Sequence, residues 1–426
     1  MRNSWRRTLA GVGAIGLVAG LVTACADPTG GSAGGGDGGG STDEPFNVLL
    51  VTTTSGPLGV FGTGVSNGAK AAADVLNEQG GILGREVVVT VSDMAGDASK
   101  GVTLLQQAVA SGAKPDMAFL GLISSDALAL APIATQNEIL SWTYTPTAKI
   151  LADTESFPYT FGVLPTTQFV GSVPADAAYS DGARTAVTVA TNSESGDDFS
   201  TAFAERFEEL GGEILEEIKT DPAATDLTAD FQRAYAAGPE AIYVYPQGQP
   251  VLALNANLAA GATIPLYSET SFAHDFRAQG VSDAALENVT GASLPLRLTT
   301  PDRRSERQVE FIEAWQALDP SETESSANAA AGYDAVMATA AAAEQAGSAS
   351  AADMAAALED LQGDISWAGG TPMLYTAKDH HVGESDAPEA SPPLLAFPLV
   401  TAFVHEDGGY FDYDGPLTNE ELEAAQ

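Results

Sequence analysis

The stretch "LNEQGGILGREVVVTVSD", Leu76–Asp93, holds glycine at three of its first nine positions and then becomes a β-branched run. The residues before it carry a helical pattern from Gly62 to Gln79. A glycine just past a helix supplies the left-handed backbone that satisfies the last free carbonyls, and Gly84 then permits a tight turn into an extended segment. The stretch therefore reads as helix, cap, turn and strand, which is half of a βαβ unit.

Working outward, the same alternation repeats. On the N-terminal side "FNVLLVTTT" is a predicted strand. After "REVVVTVSD" come a helix at Ser99–Ser111, a strand in "MAFLG", a helix at Ser125–Gln136 and a strand in "ILSWTY". Short apolar β runs between amphipathic helices predict a parallel sheet covered on both faces. The alternation restarts after "FGVLPTTQ", with strands in "RTAVTVAT", "GEILEEIKT", "EAIYVYP", "IPLYSE" and "ENVTGASL". Helices are predicted at Phe199–Leu210, Leu227–Ala237 and Pro250–Ala260. Three further helical stretches, Arg303–Leu318, Ala327–Ala346 and Ala351–Leu361, have no strands between them and are expected to cover the first lobe. The tail "LLAFPLVTAFVHEDGGYFDYD" reads as a hairpin turning at Asp407-Gly408-Gly409 on a sheet edge. The expected architecture is α/β, two Rossmann-like lobes joined by a hinge. Residues 46–165 with 293–395 form lobe 1, and 166–292 with 396–426 form lobe 2. Ligands of such proteins sit in the crevice beyond the strands' carboxyl ends.

The 426 residues suit two lobes plus a tail. Eighteen Lys and Arg face 57 Asp and Glu, a formal net charge of −39, and such a surface repels phosphate backbones, which argues against nucleic-acid binding. With 44% hydrophobic residues the body is nevertheless globular rather than disordered.

The N-terminus has the form of an export signal over residues 1–24: "MRNSWRR" carries three arginines and no acid, and "TLAGVGAIGLVAGLVTA" is an apolar run. It ends at Cys25, the one cysteine of the sequence, which leaves no disulfide framework and no CxxC metal site. "VTAC" resembles a bacterial lipobox, implying lipidation of Cys25; an uncleaved anchor is the other reading. Both hold the body at a membrane from the extracytoplasmic side. Residues 25–45, the cysteine and a Gly/Ser-rich run, read as a tether reaching on the order of 25 Å.

Few motifs suggest catalysis. "GVGAIG" lies in the export signal. "GVSNG", Gly64–Gly68, matches the GxSxG of serine hydrolases, but ten residues separate it from the preceding strand, so Ser66 falls inside a helix. Of the four histidines, His274, His380, His381 and His405, the adjacent pair does not converge on one ion and reads as a solvated loop. Asp97 reads as a helix N-cap. No metal or cofactor is expected. What remains are strand ends that pass into helices through small hydroxyl residues: Ser124 and Ser125 in "FLGLISSDALALA", Thr145 and Thr147 in "SWTYTPTAKIL". Helix starts of this kind offer unpaired N–H groups and a partial positive charge to a carboxylate, or serve as ordinary caps.

"VTTTSGPLGVFGTGVSNGAKAAADVLNEQGGILGREVVVTVSDMAGDASKGV" closely resembles the N-terminal signature of the leucine/isoleucine/valine-binding proteins, the periplasmic-binding-protein type I branch that feeds ABC importers. Asn77, Gly80, Gly81, Ile82, Gly84, Arg85 and Asp93 match it, and a weaker likeness extends through "GYDAV" at Gly332–Val336. The resemblance implies that Ser125 and Thr147 bind a ligand's α-carboxylate, that Thr145 touches carboxylate and ammonium, and that Phe61 lines the side-chain pocket. It places Gln247, or Gly248, where the family has a tyrosine, Glu269 where a glutamate binds the ammonium, and Asn328 at an aromatic wall position. Those departures leave a polar amino acid, an amide or a carboxylate without an ammonium group open as ligand.

The sequence thus leads to a lipid-anchored, non-enzymatic, monomeric solute-binding protein on the extracytoplasmic face of the cell membrane. It would deliver an amino acid of branched-chain type, or a related carboxylate or amide, to the permease subunits of an ABC transporter. A ligand-sensing module for a surface receptor, and a serine hydrolase using Ser66, are the alternatives.

Overall fold

The computed structural model describes residues 44–112, 114–144, 148–298, 301, 304–318, 326–362, 367–370, 373, 375–377, 380, 395–400, 402–404 and 410–412. Cys25, His381, His405 and the Asp407–Gly409 turn lie outside them. Among the described residues, no helix is long and apolar enough to cross a membrane.

Five parallel strands make the first sheet: β1 (Phe46–Thr52), β2 (Val87–Asp93), β3 (Met117–Leu120), β4 (Leu140–Thr143) and β5 (Thr160–Gly162), in the order β2-β1-β3-β4-β5. Strands β1, β3 and β4 are buried almost throughout, which is why they read as continuous apolar runs rather than alternations. The second sheet holds β6 (Thr185–Thr191), β7 (Glu213–Thr220), β8 (Ala241–Tyr245), β9 (Leu266–Tyr267), β10 (Val289–Ser293) and β11 (Leu395–Pro398), in the order β11-β10-β9-β8-β6-β7. It is parallel apart from β11, which runs antiparallel to β10.

The stretch that opened the sequence reading is a structural joint. The Gly59–Glu78 helix ends where Gly80 and Gly81 adopt φ of 106° and 79°. A Cβ on Gly81 would fall 1.9 Å from the Arg85 carbonyl oxygen, and Ile82 and Arg85 exchange backbone bonds across the turn. Asn77 clamps helix to strand, donating to the Val87 carbonyl at 3.0 Å and accepting from the Val87 N–H at 2.7 Å. Arg85 makes two bonds to the Asp116 carboxylate, 3.0 and 2.8 Å, tying the turn to the start of β3.

The three strandless helices do return to the first lobe. Glu306–Leu318 contributes Phe311 and Trp315, Ser326–Ala346 contributes Tyr333 and Val336, and Ala351–Leu358 contributes Met354 and Leu358 to one core with Phe46, Phe119 and Trp142. The Ser326–Ala346 and Gly59–Glu78 helices touch backbone to backbone. A Cβ on Gly68 would meet the Ala329 oxygen at 1.7 Å, and one on Gly332 the Val65 oxygen at 2.0 Å. Gly68 of the GxSxG-like motif is thus a packing residue.

Three sequence expectations change. A Thr167–Ser180 helix, not foreseen, precedes β6; Gly171 and Pro174 interrupt its pattern, yet Thr166 caps it by accepting from Phe169 N at 3.1 Å. The tail is not one hairpin on a sheet edge: β11 forms the edge, and β12 (Ala402–Val404) pairs with β13 (Tyr410–Asp412) as a separate two-stranded sheet. His380 is no solvated loop residue. It is fully buried and stacked on Phe161 with ring centroids 3.8 Å apart, and its ring nitrogens meet the Thr160 carbonyl at 2.9 Å and Glu359 at 3.2 Å, which offsets the cost of burying it.

Candidate functional site

Beyond the carboxyl ends of both sheets, the lobes border a space of about 620 Å³ that includes open solvent. The first lobe supplies one wall. Asp93, at the end of β2, accepts from Thr54 N at 2.9 Å and from the Ser55 hydroxyl at 2.7 Å, fixing the loop between β1 and the Gly59–Glu78 helix. These bonds, the Ser55 hydroxyl first, hold its carboxyl below the usual aspartate value. The first turn of that helix carries Phe61 to the cavity. Tyr144, just past β4, lies beside Asn328 on the first turn of the Ser326–Ala346 helix, and its hydroxyl donates to the Asn328 side-chain oxygen.

Four segments of the second lobe supply the other wall. Val170 comes from the Thr167–Ser180 helix. Phe199 comes from the Glu194–Glu209 helix and stacks on Tyr245 with centroids 4.6 Å apart. The loop after β9 contributes Thr270, Ala273 and His274; the end of β10 contributes Ser293 and Leu294, followed by Arg297. His274 meets the Phe61 ring edge-on at 5.7 Å, a contact from lobe to lobe. Leu164 and Pro165, between β5 and the Thr167–Ser180 helix, also line it.

The wall's charge is distinctive. Arg297 is 2% exposed and donates through Nη1 to the Ala273 carbonyl. Burial, with the neighbouring guanidinium, lowers the His274 imidazole to about 3, so it is neutral at physiological pH. Burial, aided by the Glu269 carboxyl, pushes the Tyr144 phenol well above its ordinary value, so it too stays neutral. No described residue lining the cavity is acidic. The Ser293 hydroxyl is buried with no hydrogen-bond partner among the described residues.

The site residues expected from sequence divide into three groups. Phe61 and Asn328 line the cavity. Ser125, Gln247 and Glu269 do not border it. Ser125 is exposed on the first turn of the Ser124–Gln136 helix, beside Asp126, whose carboxylate takes the Leu122 and Ile123 N–H groups. Gln247 accepts from the Ser193 hydroxyl and so ties the loop after β8 to the Glu194–Glu209 helix. Glu269, next to the cavity residue Thr270, is buried; its Oε2 accepts from the Thr270 hydroxyl and Ser271 N, while Oε1 is buried without a partner among the described residues. Burial raises its carboxyl above the usual glutamate value. Thr145 and Thr147 lie outside the described residues, immediately after Tyr144.

Sequence reasoning missed Tyr144, Phe199, His274, Ser293 and Arg297 as wall residues. Only Arg297 left a signal: an arginine inside the apolar run "SLPLRL", in a chain with 18 basic residues, indicates a buried cation with a task.

Ser66 and Asp97 resolve simply. The buried Ser66 hydroxyl donates to the Gly62 carbonyl at 2.6 Å, a back-bond within the helix. Asp97 caps its helix, accepting from Ser99 N at 2.9 Å. Among the described residues no cluster of three potential ligands could hold a metal.

Comparison with known proteins agrees with this architecture. The family described as periplasmic binding protein matches residues 45–387. The Leu/Ile/Val-binding protein BraC3 of Rhizobium johnstonii is 34% identical over 100 residues, 23% of this chain and 26% of that protein, so the match spans about a quarter of that relative's length. Among solved structures, the leucine-binding protein LivK of Thermotoga maritima superposes with a TM-score of 0.68 at 20% identity, covering 85% of this chain and 96% of that one. A solute-binding protein of an ABC transporter from R. palustris, solved in complex with benzoate, gives 0.67 at 17% identity, covering 87% and 97%. At these identities the likeness establishes the shared fold.

Proposed function

This chain belongs to the periplasmic binding protein family, and we propose that it is a solute-binding protein whose lobes close on a small molecule in the cavity between them. The observation that carries this is the cavity itself: apolar walls drawn from both lobes, with a few buried polar groups turned to one space. Hinge closure, with lobe 1 as residues 46–165 and 293–395 and lobe 2 as 166–292 and 396–426, the stretch 293–297 at that boundary continuing β10 of the second sheet and so standing with the second wall, would make ligand selection and signalling of the loaded state one event. The ligand is an amino acid of branched-chain type or a related small carboxylate or amide. It is bound and released unchanged, then handed to the permease subunits of an ABC transporter. Lipidation at Cys25 and the tether to residue 45 would hold the monomer at the extracytoplasmic face of the membrane. The family resemblance adds Ser125, Thr145 and Thr147 on the first lobe and Gln247 and Glu269 on the second to the proposed ligand set; Ser125, Gln247 and Glu269, which do not border the cavity, would join it only if closure carries them there.

Isothermal titration of the protein, unfolded and refolded to remove carried-over ligand, with pools of amino acids, amides and organic acids tests this. One pool should bind, and Phe61→Ala with Asn328→Ala should weaken it at least about tenfold, as loss of a buried aromatic contact does. Failure of every pool on folded protein would refute the reading. Unchanged affinity in Ser125→Ala with Thr147→Ala would remove those two residues from the ligand set.

A further inference from the structure

We infer that Arg297, with the Ser293 hydroxyl, is the anion anchor of the cavity and that the ligand is an apolar carboxylate without an ammonium group, an arenecarboxylate such as a benzoate. This rests on the solute-binding reading and narrows its ligand class. Four observations carry it.

The first is the sign of charge at the wall. Arg297 brings a permanent positive charge to the cavity from a position 2% exposed, and no described lining residue is acidic. A ligand carboxylate is attracted by that charge, whereas an ammonium in the same space is repelled by it and finds no carboxylate among the described lining residues. The second is the Ser293 hydroxyl, on the strand end four residues before Arg297, buried without a partner among the described residues. Such a group costs stability unless a ligand completes it. The third is the rest of the lining. Phe61, Tyr144 and Phe199 provide aromatic surface, and Leu164, Val170 and Leu294 add aliphatic surface. That lining suits a flat ring, which gains edge and face contacts with other rings. The fourth concerns Glu269, the group expected to bind an ammonium. It does not border the cavity, and its Oε2 is committed to Thr270 and Ser271.

Titration of the full chain, refolded free of ligand, with benzoate, benzamide and L-leucine decides the matter. Benzamide keeps the shape of benzoate and removes the charge. Benzoate should bind at least about 100-fold more tightly than benzamide or leucine, in line with a desolvated charge pair. Arg297→Gln should lose about 100-fold for benzoate while leaving benzamide within a few-fold, and Ser293→Ala should lose less, about fivefold. Should Arg297→Gln not fold, the benzoate and benzamide comparison on the unaltered protein and the Ser293→Ala result still stand as tests. Benzamide binding as tightly as benzoate would overturn the anion anchor. Leucine binding more tightly than benzoate would overturn the ligand class and leave the solute-binding reading standing. No binding by any of the three, with an amino-acid or amide pool binding instead, would do the same; silence from every pool would bring down both.

Discussion

The two walls of the cavity are built by different means. The first-lobe wall is a consequence of backbone architecture: Phe61 and Asn328 sit on the first turns of two helices whose glycines let their backbones touch, and the loop before Phe61 is pinned by Asp93. The second-lobe wall is assembled from side chains of four separate segments, joined by contacts such as Arg297 to the Ala273 carbonyl and Phe199 on Tyr245. Among the lining groups, the Tyr144 hydroxyl on the first wall is spent on Asn328, whereas the Ser293 hydroxyl on the second has no partner among the described residues. Residues that frame a site should govern stability, and residues that recognise a ligand should govern affinity at little or no stability cost.

The largest effect expected from breaking this division lies in the frame. Gly68→Ala places a Cβ 1.7 Å from the Ala329 oxygen, and backbone on both sides leaves no flexible side chain to yield. A loss of about 4 kcal/mol or more is expected, at the severe end for overpacking, read as a fall in the urea midpoint or as failure to accumulate folded protein.

Next comes a pH dependence at the joint between the walls. Asp334, buried on the Ser326–Ala346 helix, accepts from Ala368 N and Gly369 N at 2.9 Å each, and the Gly369 carbonyl accepts from Leu296 N beside Arg297. Burial raises its carboxyl from 3.8 to about 7 despite those bonds. Because the folded state holds this proton more tightly than the unfolded state, its contribution is full below about pH 4 and declines as pH rises towards 7, at up to about 1.4 kcal/mol per pH unit. Asp334→Asn removes that slope but sets an amide N–H against a backbone N–H. The variant should therefore be less stable than the native protein at pH 4, with the gap narrowing towards pH 7. A gap independent of pH would show that Asp334 is ionised throughout.

Arg85→Ala should cost about 2 kcal/mol, since the Asp116 partner is only 16% exposed and would be left behind without its cation, and benzoate affinity should not change. The smallest effect belongs to the second wall: Ser293→Ala should leave the ligand-free melting temperature unchanged or slightly raised, because the hydroxyl it removes has no described partner. A marked drop would make Ser293 a structural residue and erase the contrast.

The same contrast explains what was legible in the sequence. Gly80, Gly81, Gly84, Asn77 and Asp93 could be read because each answers a local demand, a positive φ, a strand-start clamp or a loop anchor, that only a few residue types meet. The alternation of β1 to β4 with their helices was legible for the same reason. The Thr167–Ser180 helix was not, because Gly171 and Pro174 broke its periodicity while tertiary packing kept it intact. His380 was misread because its burial depends on Phe161 and Glu359, far away in sequence. The second-lobe wall was illegible on the same ground: nothing in the spacing of Phe199, His274, Ser293 and Arg297 foretells one cavity, and only the lone arginine among apolar neighbours hinted at it.

The central claim, that this cavity closes on an apolar carboxylate held by Arg297, is tested most directly by a crystal structure of the protein grown with saturating benzoate. The account predicts benzoate in the cavity, its carboxylate within hydrogen-bond distance of Arg297 and Ser293 and its ring towards Phe61 and Phe199. An empty cavity, or benzoate oriented with its carboxylate away from Arg297, would contradict it.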